Sequence, residues 1–165
     1  MKKYLVPVSL FALAAFISSC EKQDSLTPVM PDDPMSYFVN FTEDTVPVKL
    51  SVTSAREERI GNIFATAIEG KLPDSVLQRN SLIIRVTGDS AGTYTKTAIL
   101  ASYTDSAGIA YSNNTADTIN KVTITRIEKK KNGSVEGSFT IRVSNSTRIK
   151  TLVLRDGKFS TLFTE

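Results

Sequence analysis

The sequence has no histidine, no tryptophan and one cysteine among 165 residues. Imidazole acid–base catalysis and His-ligated metal sites are therefore excluded, and a single thiol cannot form an intrachain disulfide. Eight glycines and six prolines are too few for a collagen-like or low-complexity chain. With 41% hydrophobic and 22% charged residues, what remains is the composition of one soluble globular domain. No cofactor motif and no metal-ligand series is present.

Lys2 and Lys3 precede a mostly apolar run, Tyr4 to Ile17, whose 14 residues are too short to cross a ~30 Å hydrocarbon core as a helix. The run reads as a signal peptide over residues 1–19. It ends in Ile17-Ser18-Ser19-Cys20, which resembles the bacterial lipobox: an aliphatic residue, two small residues, and the cysteine that takes a diacylglycerol thioether. Small side chains let the peptidase close on the bond, and only a thiol at position 20 can be alkylated. The sole cysteine of the chain falls at the position the motif requires. Acyl chains contribute about 0.8 kcal/mol per buried methylene, so several of them make such an anchor effectively permanent. The resemblance implies an outer-membrane lipoprotein on the periplasmic or the cell-surface face. Without the first 19 residues, 146 remain, with 18 basic against 17 acidic side chains. That balance indicates neither a nucleic-acid partner nor a polybasic membrane patch. Lys129-Lys130-Lys131 precedes Asn132-Gly133 and reads as a solvated hairpin tip.

Residues 20–36 combine Cys20 with Pro28, Pro31, Pro34, Asp24, Asp32 and Asp33, without apolar periodicity, and read as a flexible tether. Residues 37–165 form one β domain. Val46, Val48, Leu50 and Val52 alternate with polar neighbours or proline, as do Val122 and Ile124, or Phe139, Ile141 and Val143. Turn signals fall at Gly88-Asp89, Asp105 to Gly108, Asn113-Asn114, Asn132-Gly133, Asn145-Ser146 and Asp156-Gly157. Their spacing predicts an all-β domain of about eight to ten antiparallel strands, a β-sandwich or small β-barrel, with the sandwich preferred. At most one or two short helical turns are expected, one on the capping-box pattern Ser54-Ala55-Arg56-Glu57 and one at Asp74. Leu82, Ile84, Ile124 and Ile141 are predicted to point inward, and Phe38, Phe41, Phe64, Phe139, Phe159 and Phe163 to lie in the core.

From Gly92 to Phe163 the chain resembles small uncharacterised lipoproteins of the Bacteroidota. The resemblance rests on Gly92-Thr93-Tyr94, Tyr111, Val122-Thr123-Ile124-Thr125, Gly137-Ser138-Phe139 and the terminal Asp156-Gly157-Lys158-Phe159. It implies a β-rich exported fold and no activity. Such proteins often open on a strand turning at Asp-Gly, whereas here the first hairpin turns through Glu43-Asp44-Thr45. A second resemblance is to the Bacteroidota O-glycosylation signal, Asp followed by Ser or Thr and then an aliphatic residue, Ala, Met or Thr. It occurs at Ser25, Thr45, Ser75, Ser90, Ser106 and Thr118; six of nine aspartates qualify where composition alone predicts about one. Asx turns produce the same triplet, because Asp-Ser and Asp-Thr turn the chain and an apolar residue restarts the strand.

Carboxylates remain as catalysts, with Asp89, Asp105, Asp117, Glu128 and Glu136 in or near turns, but no spacing pairs any two of them. Tyr94, Tyr103 and Tyr111 are candidates for a sugar-stacking platform, although such tyrosines are more often barrel-wall or rim residues with the hydroxyl in water. The leading expectation is a non-enzymatic binding or interaction module, held to the membrane by its lipid and meeting an envelope protein or glycan. The alternatives are a lipocalin-like carrier of a small apolar ligand or glycan, and a carboxylate-dependent hydrolase.

Overall fold

The computed structural model describes residues 37–73 and 79–164. Eleven strands carry the fold: β1 (Phe38–Glu43), β2 (Val46–Leu50), β3 (Val52–Ile60), β4 (Ile63–Lys71), β5 (Ser81–Thr87), β6 (Gly92–Thr95), β7 (Ile99–Thr104), β8 (Ala110–Asn113), β9 (Lys121–Ile127), β10 (Ser134–Asn145) and β11 (Thr151–Leu162). They form one antiparallel sheet of order β2-β1-β11-β10-β8-β7-β5-β4-β3, with β9 on β10 and β6 on β9. The sheet nearly closes into a barrel. At the seam Phe163 bridges Ala55, and Thr164 donates its backbone N–H to the Ala55 carbonyl at 2.9 Å. Gly70 of β4 lies so close to Val39 and Leu50 that a Cβ there would stand 2.9 Å from Val39 Cβ. Of the two architectures the alternation allows, the barrel is the one formed.

Period two puts one side of each strand inside. Leu82, Ile84, Ile124 and Ile141, predicted to face inward, are at most 1% exposed. Five rings run through this interior as a file. Tyr111 stacks on Tyr103 at 6.1 Å, Tyr103 meets Phe41 edge-on at 5.5 Å, Phe41 meets Phe139 at 6.0 Å, and Phe139 stacks on Phe159 at 6.5 Å. Aromatic pairs in this range add about 0.5–1.5 kcal/mol each beyond their burial.

The two Gly-x-Phe motifs interlock on β10 and β11. Gly137 faces Phe159 and Phe139 faces Gly157, so each ring lies across the other strand's glycine. A Cβ at Gly157 would sit 2.6 Å from the Phe139 ring, and one at Gly137 2.4 Å from the Phe159 ring and 2.1 Å from the Thr123 carbonyl. Glycine is in these strands because ring and backbone occupy the side-chain space.

Four expectations are corrected. Asp156-Gly157 is a bulge inside the 12-residue β11 and not a turn. Phe139 pairs with Gly157 and Ile141 with Leu154, which leaves one extra residue on β11, and Asp156 absorbs it at φ +51°. Ser54–Glu57 lies in β3, where the Arg56 guanidinium bonds Glu58 at 2.6 Å and Glu69 at 2.9 Å. Arg56 and Glu58 lie on the strand that ends the sheet order, where a charged strand resists pairing with another chain, and Glu69 lies on its neighbour β4. The helical turn is instead a 3-10 turn at Lys96–Ala98, and the turn expected at Asp74 falls outside the described residues. The alternating stretch Val46 to Val52 breaks at Ser51, where the chain leaves β1 and pairs next with β4. Phe64 is 51% exposed at the β3–β4 hairpin and is not core, and Phe38 at the start of β1 is only half-buried.

Candidate functional site

The register brings the β1–β2, β7–β8 and β10–β11 turns to one end of the barrel, around a buried polar cluster. Tyr103 donates its hydroxyl to Glu43 at 2.7 Å, and Tyr111 donates to Asp105 at 3.0 Å. Lys150 lies 3.6 Å from the same Asp105 oxygen and 5.5 Å from the Tyr111 ring centre. The other oxygen of Asp105 accepts the backbone N–H groups of Ala107 and Ile109, each at 2.9 Å. Burial alone pushes the Asp105 carboxyl up. The Ile109 N–H, the Tyr111 hydroxyl, the Ala107 N–H and Lys150 outweigh that and hold it below its ordinary value. Burial, then Glu43, pushes the Tyr103 hydroxyl far above the usual phenol range. Tyr111 is raised in the same sense, by burial and by Asp105, against Lys150. Both oxygens of Asp105 are thus engaged and both phenols are held neutral, which makes the cluster a fastening of the three turns.

The outer surface beside this cluster carries a groove that follows from a fork in the sheet. Val135 to Thr140 of β10 pairs with β9, whereas Val143 to Asn145 pairs with β8. Two asparagines mend the gap between the branches. Asn113 accepts the Ala101 N–H at 2.7 Å and donates to the Ile99 carbonyl at 3.0 Å, standing in for the next residue pair of the ladder. Asn120 is fully buried, accepts the Arg142 N–H at 2.9 Å and donates to the Asn114 carbonyl at 2.8 Å. Over this repair lies a space of about 450 Å³ lined by polar residues, including Ser112, Asn114, Thr115, Arg142, Ser146 and Arg148. Arg142 is aimed by Asp117, at 3.0 Å. The volume falls within the ~300–1,000 Å³ range of ligand sites, although those are mostly apolar. A hydrophilic lining suits a ligand that brings its own hydroxyl or charged groups.

The predicted site residues fall in different places. Tyr103 and Tyr111 are 0% and 2% exposed, so neither offers a face to a sugar. Tyr94 is half-buried on β6, covers Gly88 and donates to the Ser90 carbonyl at 2.7 Å. The three rings do not share an exposed platform, because alternation turns Tyr103 and Tyr111 into the barrel. Thr45, Ser90, Ser106 and Thr118 are all exposed at turns. Asp105 and Asp117 do serve as Asx-turn acceptors, Asp117 for the Ile119 N–H at 3.0 Å. Ser25, Ser75 and Cys20 lie outside the described residues. Of the carboxylates singled out, Glu128 and Glu136 share Arg126, Asp89 pairs with Lys129 and Asp117 with Arg142. Each sits against a cation. Among the described residues no group of three or more carboxylate or thiol side chains is placed to hold a metal ion. Glu43, Lys150, Asn113, Asn120 and Arg142 were not legible as partners, since their roles depend on which strands pair. The one local signal was Asn113-Asn114, read as a turn.

The structure thus defines an all-β domain, a nearly closed antiparallel barrel whose described residues pack an aromatic and aliphatic core inside and form a hydrophilic groove on its wall. The chain belongs to the DUF6252 family, a domain of unknown function whose profile matches residues 66–162. No curated protein and no solved structure matches it.

Proposed function

We propose that this chain is an outer-membrane lipoprotein, held by a lipid on Cys20, whose barrel is a non-enzymatic binding module working from its outer wall. The observation that supports this most is the file of five rings, Tyr111 to Phe159, through the interior where a carrier would need its ligand space. Binding then falls to the surface, and the fork groove is the site offered. Its amides, hydroxyls and guanidinium groups match an envelope glycan better than an apolar ligand. Glycans at the exposed Thr45, Ser90, Ser106 and Thr118 would solvate the turns and shield them from proteases.

Two measurements test the reading. Mass spectrometry of the chain from its native membrane should show the diacylglycerol adduct, and Cys20→Ala should abolish it; an unmodified Cys20 refutes the anchor. A thermal-shift screen of the detergent-solubilised lipoprotein should show a saturable rise with envelope oligosaccharides. A ligand at 100 times its Kd adds about 2.7 kcal/mol, and Arg148→Ala should remove that gain. A response to fatty acids, haem or bile salts would favour the carrier, and a flat response would leave a protein partner.

A further inference from the structure

The β3–β4 hairpin ends in an apolar tip that nothing in the barrel explains. Ile60, Ile63 and Phe64 are 37%, 56% and 51% exposed, although they flank a tight Gly61-Asn62 turn where polar residues would serve. Ile60 and Ile63 lie beyond the Ala65–Gly88 bridge, and Phe64 sits at its edge, where its carbonyl accepts the Gly88 N–H at 3.2 Å. The Arg59 guanidinium lies 5.9 Å from the Phe64 ring centre.

The register also says which end of the barrel this is. Phe38 opens β1 opposite Ser160, and Ser160 lies opposite Glu136 near the β9–β10 loop. That loop reaches the hairpin: Lys129 bonds Glu57 at 2.5 Å and Asp89 at 3.2 Å. The chain therefore enters its domain at the end that carries the apolar tip, opposite the Tyr103–Asp105 cluster. Lys130 and Lys131 are exposed on the same end, Lys130 lying 3.4 Å from Glu128. Its acidic groups each sit against a cation: Glu57 and Asp89 share Lys129, Glu58 meets Arg56 and Arg85, Glu128 meets Arg126 and Lys130, and Glu136 meets Arg126.

We propose that Ile60, Ile63 and Phe64 insert into the lipid surface that holds the Cys20 anchor, fixing the barrel with its tether end on the membrane and its Tyr103–Asp105 end outward. The inference rests on the lipoprotein reading. A lipid surface fits this tip better than a protein does. A specific protein interface takes about 20–30 residues a side, whereas three apolar side chains on a turn with cations beside them suit the boundary between headgroups and acyl chains. Sixteen residues join Cys20 to Tyr37, so the entry end lies no farther than roughly 53–58 Å from the anchor. Insertion then becomes an intramolecular step at an effective concentration on the order of millimolar, so a tip too weak to bind membranes alone stays engaged.

The chain has no tryptophan, so Phe64→Trp introduces a single reporter at an exposed position. The full lipidated variant is reconstituted into phosphatidylethanolamine–phosphatidylglycerol vesicles containing a phospholipid brominated on its acyl chains. Co-sedimentation reads the anchor, and tryptophan emission reads the tip. The expected result is a blue-shifted emission quenched severalfold by the bromines, and lost when Ile60→Ser and Ile63→Ser are added. Ile63→Trp provides a second reporter should the first variant fold poorly. Co-sedimentation with unquenched, solvent-like emission from both reporters overturns the insertion and leaves the anchor standing. A blue shift that rises with protein density without quenching also overturns it, and identifies the tip as a contact between copies. Failure to co-sediment sinks both readings.

Discussion

Replacing Gly157 by alanine is a direct test of the interlocked glycine–phenylalanine pairs. The new Cβ would lie 2.6 Å from three atoms of the Phe139 ring, a separation that real Cβ atoms do not show. The ring cannot swing into solvent, because Phe139 is 4% exposed and is packed against Phe41 and Phe159. Either it leaves its rotamer or β10 and β11 move apart, and overpacking of this kind costs about 1–3 kcal/mol. For a domain of this size a kilocalorie corresponds to roughly 3–5 °C, so the melting midpoint should fall by about 3–15 °C. Gly137→Ala should cost more, because its nearest obstacle is the Thr123 carbonyl at 2.1 Å and backbone cannot rotate away as a ring can. The assay is thermal and urea unfolding followed by circular dichroism. A double-mutant cycle isolates the ring: with Phe139→Leu already present, Gly157→Ala should cost at least ~1 kcal/mol less than in the parent. The reasoning is refuted if Gly157→Ala leaves the midpoint in place, or if its cost is unchanged once Phe139 is shortened.

The polar cluster and the fork give three further tests. Tyr103→Phe removes the hydroxyl that Glu43 accepts and should destabilise by about 1–3 kcal/mol in urea melts at neutral pH, with Glu43→Gln costing less because an acceptor remains. Asn120→Ala takes the acceptor from the Arg142 N–H and one of two donors from the Asn114 carbonyl, which keeps the Asp117 N–H at 3.0 Å. It should lower the urea midpoint by an amount equivalent to about 2 kcal/mol, and amide exchange should quicken first at Arg142. Asp105 is held below its ordinary pKa in the folded state, so the stability it supplies is present above about pH 3.9 and is lost as pH falls through the folded value. Acid unfolding should therefore be shallower in Asp105→Asn, which is less stable at pH 7 but has less to lose; an unchanged acid limb refutes the assignment.

The alternation of apolar and polar residues determined that this is an all-β domain, and it put Leu82, Ile84, Ile124 and Ile141 inside, because a period of two places every second side chain on one face whatever the topology. Turn chemistry likewise marked the exposed loops at Thr45, Ser90, Ser106 and Thr118, since Asp-Ser and Asp-Thr bend the chain locally. Local signals failed where a residue answers to a partner far along the chain. Asp156-Gly157 carries the residues of a turn, yet β11 continues through it because β1 and β10 pair with β11 on both sides of the bulge. Phe64 has the hydrophobicity of a core residue, but β3 and β4 outrun their neighbours and leave it in the open. Tyr103 and Tyr111 look alike whether they stack on a ligand or on each other; only the pairing of β7 with β8 brings them to 6.1 Å of one another. The barrel rather than a sandwich, the fork with its hydrophilic groove, and the end at which the chain enters were decided by strand order. Strand order is a long-range property: each pairing is selected by the packing energy of the whole closed sheet, and no window of the sequence contains that sum.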